Sequence, residues 1–204
     1  MSLPNGEIPR PADQQALVPL TNQQGDFIHR RLRRSADQFR SFVWPAVSNF
    51  FGPGTLTPVE GVDEAIAMML DFLGIDYLFH PAGEEPYGIS ARVQAPALNG
   101  HPWDSFTMSI HQYRRFQRAG EAPFGRLLPA LVVQAFIDRR DHQTKSVLLS
   151  VGITRVRDLV ATSPTGQREG PTGSFVFWSF DELATLGRLA VRIPEPDLLR
   201  PFAS

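Results

Sequence analysis

The 204-residue chain contains no cysteine. Disulfides, cysteine-ligated zinc and thiol nucleophiles are thereby excluded. Lysine is nearly absent too: of the twenty basic residues nineteen are arginine, and Lys145 is the one lysine. No apolar run approaches the roughly 20 residues that a membrane span requires, and the N-terminus lacks the basic, apolar, small-residue order of a secretory signal. Also missing are a Walker A loop, G-x-G-x-x-G and G-x-S-x-G, so neither a nucleotide cofactor nor a serine nucleophile has a motif to stand on. The five histidines, His29, His80, His101, His111 and His142, show no zinc-ligand spacing on one element. These absences leave the expectation of a cytoplasmic protein with no membrane association, no zinc site, no haem and no nucleotide cofactor.

Apolar residues make up 42% of the chain and charged residues 20%, proportions that support a folded core. The length suits one domain with an appended arm. A net charge of −1 hides an uneven distribution. Residues 1–50 carry six Arg against four acids, and residues 51–100 carry one Arg against seven. Residues 101–150 then carry seven bases against four acids, and residues 151–204 carry six of each. Two basic segments flanking an acidic one suit a cationic groove around a metal-binding centre, and equally an ordinary solvated surface. Arginine favours bidentate phosphate contacts, although a compositional habit of the source genome explains the bias as well.

Residues 1–25 set Pro4, Pro9, Pro11 and Pro19 among Gln, Asn and Gly, which predicts a flexible tail. Over residues 26–50, Ile28, Leu32, Phe39, Phe42, Val43, Ala46, Val47 and Phe50 recur at helical spacing. Arg30, Arg31, Arg33, Arg34 and Arg40 lie mostly off that stripe, so the segment reads as an amphipathic, basic helical arm. Pro45 is expected to kink or end it, and Gly52-Pro53-Gly54 to stop it. Residues 55–204 read as a single α/β domain.

Within that domain a helix fits Val62–Leu73, with Ile66, Met69, Leu70 and Leu73 inward and Gly74 as its stop. Period-two patterns predict strands over 76–80, 87–94 and 105–110, which together make an antiparallel meander. A polar, Arg-rich connection with a turn or two of helix is expected over 112–129. Strands at 131–137 and 146–151 follow, then a helix over 154–162 capped by Thr154 and a loop over 163–173. A strand at 175–178, a helix over 180–186 capped by Ser179 and an extended piece at 189–193 complete the chain. The fold class expected is α/β, of the α+β kind: a mixed sheet with an antiparallel meander, flanking helices and the N-terminal helical arm. Phe106, Phe136, Phe175 and Phe177 occupy strand positions that suit a core, and Trp103, in a loop beside His101, is a candidate for stacking or partner contact.

The chemistry-bearing stretch runs from the helix at 62–73 through Gly74-Ile75-Asp76-Tyr77-Leu78 to the strand at 87–94. Side chains alternate along a strand, so Ser90, Arg92 and Gln94 share one side of it. Polar groups on an otherwise buried strand need partners, and Asp76 on the neighbouring strand is the natural one for Arg92.

This pattern resembles the PD-(D/E)XK nuclease superfamily over roughly residues 62–138. The resemblance implies a core of helix, three-stranded meander, helix and strand, with Mg²⁺-dependent hydrolysis of a DNA phosphodiester. Matched position by position, Glu64 or Asp71 takes the place of the helix acid and Asp76 that of the strand acid. Ser90 and Arg92 take the Glu and Lys places of E-x-K, with Gln94 one strand step beyond. The resemblance thus makes Asp76, Glu64, Asp71 and Gln94 candidate metal ligands, and Asp76, Arg92 and Gln94 candidate catalytic residues. A similar Gly-Ile-Asp…Arg-x-Gln pattern, followed by an alternating Phe-Thr strand, resembles that of uncharacterised bacterial proteins.

Two positions depart from the family pattern. Ser90 is not a carboxylate, which leaves a divalent ion one hard oxygen short unless Gln94 supplies it. Arg92 keeps its charge and cannot serve as a base. In one reading Asp76 and Gln94 hold the ion and Arg92 stabilises charge on the phosphate. In the other, Asp76 and Arg92 are a structural pair in a degenerate nuclease-like fold that binds DNA without cutting it. Arg30, Arg31, Arg33, Arg34, Arg114, Arg115 and Arg118 would contact phosphates in either case. The alternative from another class is a non-catalytic interaction or accessory protein whose N-terminal arm docks a protein partner or a second copy.

Overall fold

The computed structural model describes residues 35–61, 63–95, 104–121, 129–138, 147–170 and 173–193. The expected tail, together with Arg30, Arg31, Arg33, Arg34, His101 and Trp103, lies outside those residues. Among the described residues the strands are β1 (Gly54–Pro58), β2 (Tyr77–Pro81), β3 (Tyr87–Gln94), β4 (Ser105–Ser109), β5 (Leu131–Asp138), β6 (Val147–Arg155), β7 (Gly166–Gly170), β8 (Gly173–Ser179) and β9 (Val191–Ile193). The helices are α1 (Trp44–Phe51), α2 (Glu64–Phe72), α3 (Ile110–Glu121), α4 (Val156–Val160) and α5 (Phe180–Thr185).

Six strands form a mixed sheet in the order β1-β2-β3-β5-β6-β9. Its pairs are antiparallel except β3 with β5, which is parallel. A second sheet, ordered β4-β8-β7, is antiparallel throughout. The fold is therefore α+β, with a mixed sheet and an antiparallel meander. That meander is β1-β2-β3, so its membership differs from expectation. β1, where the Gly-Pro-Gly punctuation suggested only a stop, is its outer strand. β4, expected as its third strand, instead joins the second sheet, where Phe106 lies opposite Trp178 and Met108 opposite Val176. Cross-strand aromatic and aliphatic pairs of this kind set strand partnership.

The large sheet is buried on both faces at β5, which is why that strand reads as a continuous apolar run. Leu131, Val133, Ala135 and Ile137 belong to a core that also holds Phe39, Val43 and Val47 from the N-terminal helical segment. Val132 and Phe136 belong to a second core with Phe106, Val176 and Trp178 from the small sheet and Phe116 from α3. Phe175 and Phe177, expected in the core with Phe106 and Phe136, are only half-buried, because β8 turns Val176 and Trp178 inward instead.

The helical segment does not end at Pro45. A π-helical turn at Phe39–Val43 precedes α1, and the Trp44 N–H bonds to the carbonyl of Phe39, five residues back. That wider turn lets the chain pass a proline, whose ring clashes with an ordinary α-helical carbonyl and which offers no N–H. The stripe expected to dock a partner is spent within the chain from Phe39 onward: Phe39 stacks on Tyr77 with ring centroids 4.7 Å apart, and Trp44 and Phe51 close over Phe79. The Tyr77 hydroxyl donates to the carbonyl of Ala36 at 3.1 Å, and burial holds that phenol protonated well above the usual tyrosine range.

Among the described residues strands run straight into α-helices at three places, Ser109 to Ile110, Arg155 to Val156 and Ser179 to Phe180. Ser179 caps α5, its Oγ accepting from the Asp181 N–H at 3.2 Å. Thr154 does not cap α4; it stays in β6 and donates to the carbonyl of Arg188 at 2.6 Å. On α2, Leu70 is buried, but Ile66 and Met69 are 48% and 50% exposed rather than inward. No helix among the described residues is long and apolar enough to cross a membrane.

Close packing between the sheets depends on Gly152. A Cβ there would stand 2.5 Å from Phe180 Cζ and 3.0 Å from Phe106 Cζ, inside contact distance of two buried rings. Gly152→Ala is therefore expected to lower unfolding stability by about 1–3 kcal/mol, as overpacking does. A urea titration reads this as a lower midpoint at unchanged slope; an unaltered midpoint would contradict the packing of Phe106 and Phe180 over this strand.

Candidate functional site

The site begins at the end of α2. Ile75 N–H bonds to the carbonyl of Leu70 at 2.9 Å, and Gly74 takes φ +75°. This is a Schellman closure, with glycine in the left-handed position and an apolar contact across it. Leu70 and Ile75 pack together with Val59 in a small third core. Ile75 also lies directly on β3: a Cβ at Gly88 would be 2.9 Å from Ile75 Cγ1 and Cδ1.

That close approach delivers Asp76 to β3. Its N–H donates to the carbonyl of Ile89 at 2.9 Å, and its Oδ2 accepts the Ala91 N–H at 2.7 Å. The Ser90 hydroxyl donates to the same oxygen at 3.4 Å. The β2–β3 pairing runs only as far as Tyr77 opposite Ile89, so the Asp76 carboxylate takes the next backbone donor that the ladder leaves open.

Arg92 follows Ala91 on the strand. Burial of its guanidinium lowers its pKa, and the negative charge of Asp76 acts in the opposite direction. The side chain stays charged, since no protein environment deprotonates arginine at ordinary pH. Its Nη2 donates to Gln112 Oε1. Gln112 is in the first turn of α3, and its N–H bonds to Ser109 Oγ at 3.2 Å. Ser109-x-x-Gln112 is a capping-box sequence, but here the glutamine side chain reaches across to Arg92. A Cβ on Gly74 would stand 2.5 Å from Gln112 Nε2, so the Schellman turn and the start of α3 are in direct contact.

Gln94 points along the same side but takes other partners. Its Nε2 donates to Thr107 Oγ1 at 3.3 Å, and Thr107 in turn donates to Gln134 Oε1 at 3.4 Å. Gln134 is fully buried, with no hydrogen-bond partner at its Nε2. A polar seam thus runs between the sheets beside the Asp76–Arg92 junction.

The donor set bears on a metal. Among the described residues no group of three or more His, Asp or Glu side chains is placed to hold one. Asp76 contributes a carboxylate whose Oδ2 carries two hydrogen bonds, and Gln94 turns its amide to Thr107. Glu64 opens α2 and Asp71 lies near its end, but their side chains lie outside the described residues. Of the four expected ligands the described side chains therefore include only Asp76 and Gln94. Asp104 Oδ2 lies 3.5 Å from Arg192 Nη2, while His80 and His111 are exposed.

Of the arginines expected on phosphates, Arg114 and Arg118 are exposed on α3, with Arg118 Nε donating to the carbonyl of Arg114 at 3.3 Å. Arg115 is half-buried, and its guanidinium lies 5.7 Å from the Phe116 ring centroid. Gln112, Thr107 and Gln134 were not singled out by the sequence. For Gln112 a signal existed in the Ser-x-x-Gln spacing; for Thr107 and Gln134 it was a polar residue within an apolar strand.

No family model, curated protein or solved structure matches this chain.

Replacing Asp76 tests the junction. Asp76→Ala leaves the Ala91 N–H without its acceptor and Arg92 without the opposing charge, so a loss of about 3 kcal/mol is expected. Adding Arg92→Met should recover part of that loss, because the uncompensated charge is gone. Strictly additive losses in denaturant titrations would contradict the coupling.

Proposed function

We propose that this chain is a nuclease-like DNA-binding protein, in which Asp76 and Arg92 form a structural junction and the exposed arginines of α3 contact phosphates. The observation that carries this reading is the engagement of Asp76: its Oδ2 accepts both the Ala91 N–H and the Ser90 hydroxyl. An aspartate serving the strand ladder, next to an arginine tied to Gln112, is suited to holding a scaffold. That same glutamine belongs to the helix that carries Arg114 and Arg118, so the junction fixes the element that would meet the phosphate backbone. Phosphate contacts of this kind position a protein on DNA and supply most of its sequence-independent affinity.

A second reading, an accessory protein that docks a protein partner, is supported by Ile66 and Met69, which α2 leaves exposed. The two readings differ in their response to salt. If α3 contacts phosphates, log K for DNA falls linearly with log salt. Replacing both Arg114 and Arg118 by Ala should then reduce that slope by about 2. Fluorescence anisotropy with a labelled oligonucleotide at a series of salt concentrations measures both. A flat salt response, or a slope unchanged by the double substitution, contradicts the DNA reading.

A further inference from the structure

A groove of about 400 Å³ opens between α3 and the β7–β8 edge of the small sheet. Its floor is apolar, from Ile110 and Val176, and one wall carries Tyr113, Arg114 and Gln117 from α3. The facing wall carries Gln167 from β7. None of the residues lining it is acidic, in a chain with twenty-one acids, so the groove carries the positive charge of Arg114 alone.

The parts of this groove divide by chemistry. Tyr113 is held from two directions: its ring meets Trp178 edge-on at 5.4 Å, and its hydroxyl accepts from Gln117 Nε2 at 2.8 Å. A ring fixed in this way is a pre-organised surface, and aromatic faces stack bases of any sequence. A glutamine amide offers one donor and one acceptor side by side, the pattern that pairs with the edge of a base. Arg114 is exposed beside these groups, with Arg118 one helical turn on. The volume is at the lower end of small-ligand sites, enough for one nucleotide and not for a duplex.

We infer that this groove takes one unpaired base of a single DNA strand, with Tyr113 as its stacking surface, Gln167 reading its edge and Arg114 on the adjoining phosphate. A base held this way must be out of its pair, so single strands bind and intact duplex does not fill the groove. The inference rests on the DNA-binding reading and names the strand state that reading leaves open.

The test is anisotropy of the full chain with labelled single-stranded and duplex oligodeoxynucleotides of equal length, at fixed salt. The expected result is single-strand binding about tenfold tighter than duplex. Gln167→Ala should weaken single-strand binding several-fold, leave duplex binding and the salt slope unchanged, and alter the preference among oligo-dA, oligo-dT and oligo-dC. Arg114→Ala should weaken both forms and lower the slope. Because Gln167 is exposed on β7, its truncation tests recognition rather than folding, and circular dichroism of each variant checks that. Equal binding of single strand and duplex, or no effect of Gln167→Ala, overturns the groove assignment while DNA binding stands. Failure of the parent chain to bind either oligonucleotide overturns both.

Discussion

The bond from the Ala91 N–H to the Asp76 carboxylate is the constraint on which the rest of this site depends. It lies where the β2–β3 ladder has run out and β3 continues against β5 alone on its other side. A backbone donor left open there would carry a desolvation penalty of about 1–3 kcal/mol. The sequence meets this need through a chain of local requirements. Gly74 permits the left-handed turn, Ile75 closes the helix end, and Gly88 lets Ile75 lie flat on the strand. Only then does Asp76 arrive at hydrogen-bonding distance from β3.

Once Asp76 is fixed, its charge favours the charged form of Arg92, the residue after Ala91 on β3. Arg92 then fixes Gln112, and with it the first turn of α3. Asp76 therefore ties the start of β2 to β3, and Arg92 ties β3 to α3. Beside it a polar seam runs inside an otherwise apolar layer, from Gln94 through Thr107 to Gln134. Buried networks of this kind are costly where incomplete, and the Gln134 amide is the point at which this one is incomplete.

The local grammar of the chain was largely legible in its sequence. Alternation identified β3, an apolar run identified β5, the Gly74 stop identified the end of α2, and Ser179 identified the cap of α5. The pairing of strands was less so, because alternation says which face a residue takes and not which strand lies beside it. β4 shows this: its Phe-Thr-Met alternation suits either sheet, and the match of Phe106 with Trp178 is a contact across many intervening residues. Ile66 and Met69 failed for the same reason, since helical spacing defines a stripe without defining what covers it. At the site, Asp76 took Ser90 and the Ala91 N–H as its partners, while Arg92, for which Asp76 was the expected partner, bonds to Gln112. The partner of Arg92 that completes the junction, Gln112, lies on an element whose length was underestimated.

Incubation of supercoiled and linear DNA with the parent chain and with Asp76→Asn, in Mg²⁺ and in Mn²⁺, tests the central claim most directly. If Asp76 serves the β3 ladder as a structural group, both proteins bind DNA, and neither cuts it above the rate without protein. Metal-dependent cutting by the parent that disappears in Asp76→Asn, with the variant still folded, would contradict that account and place a reaction at Asp76.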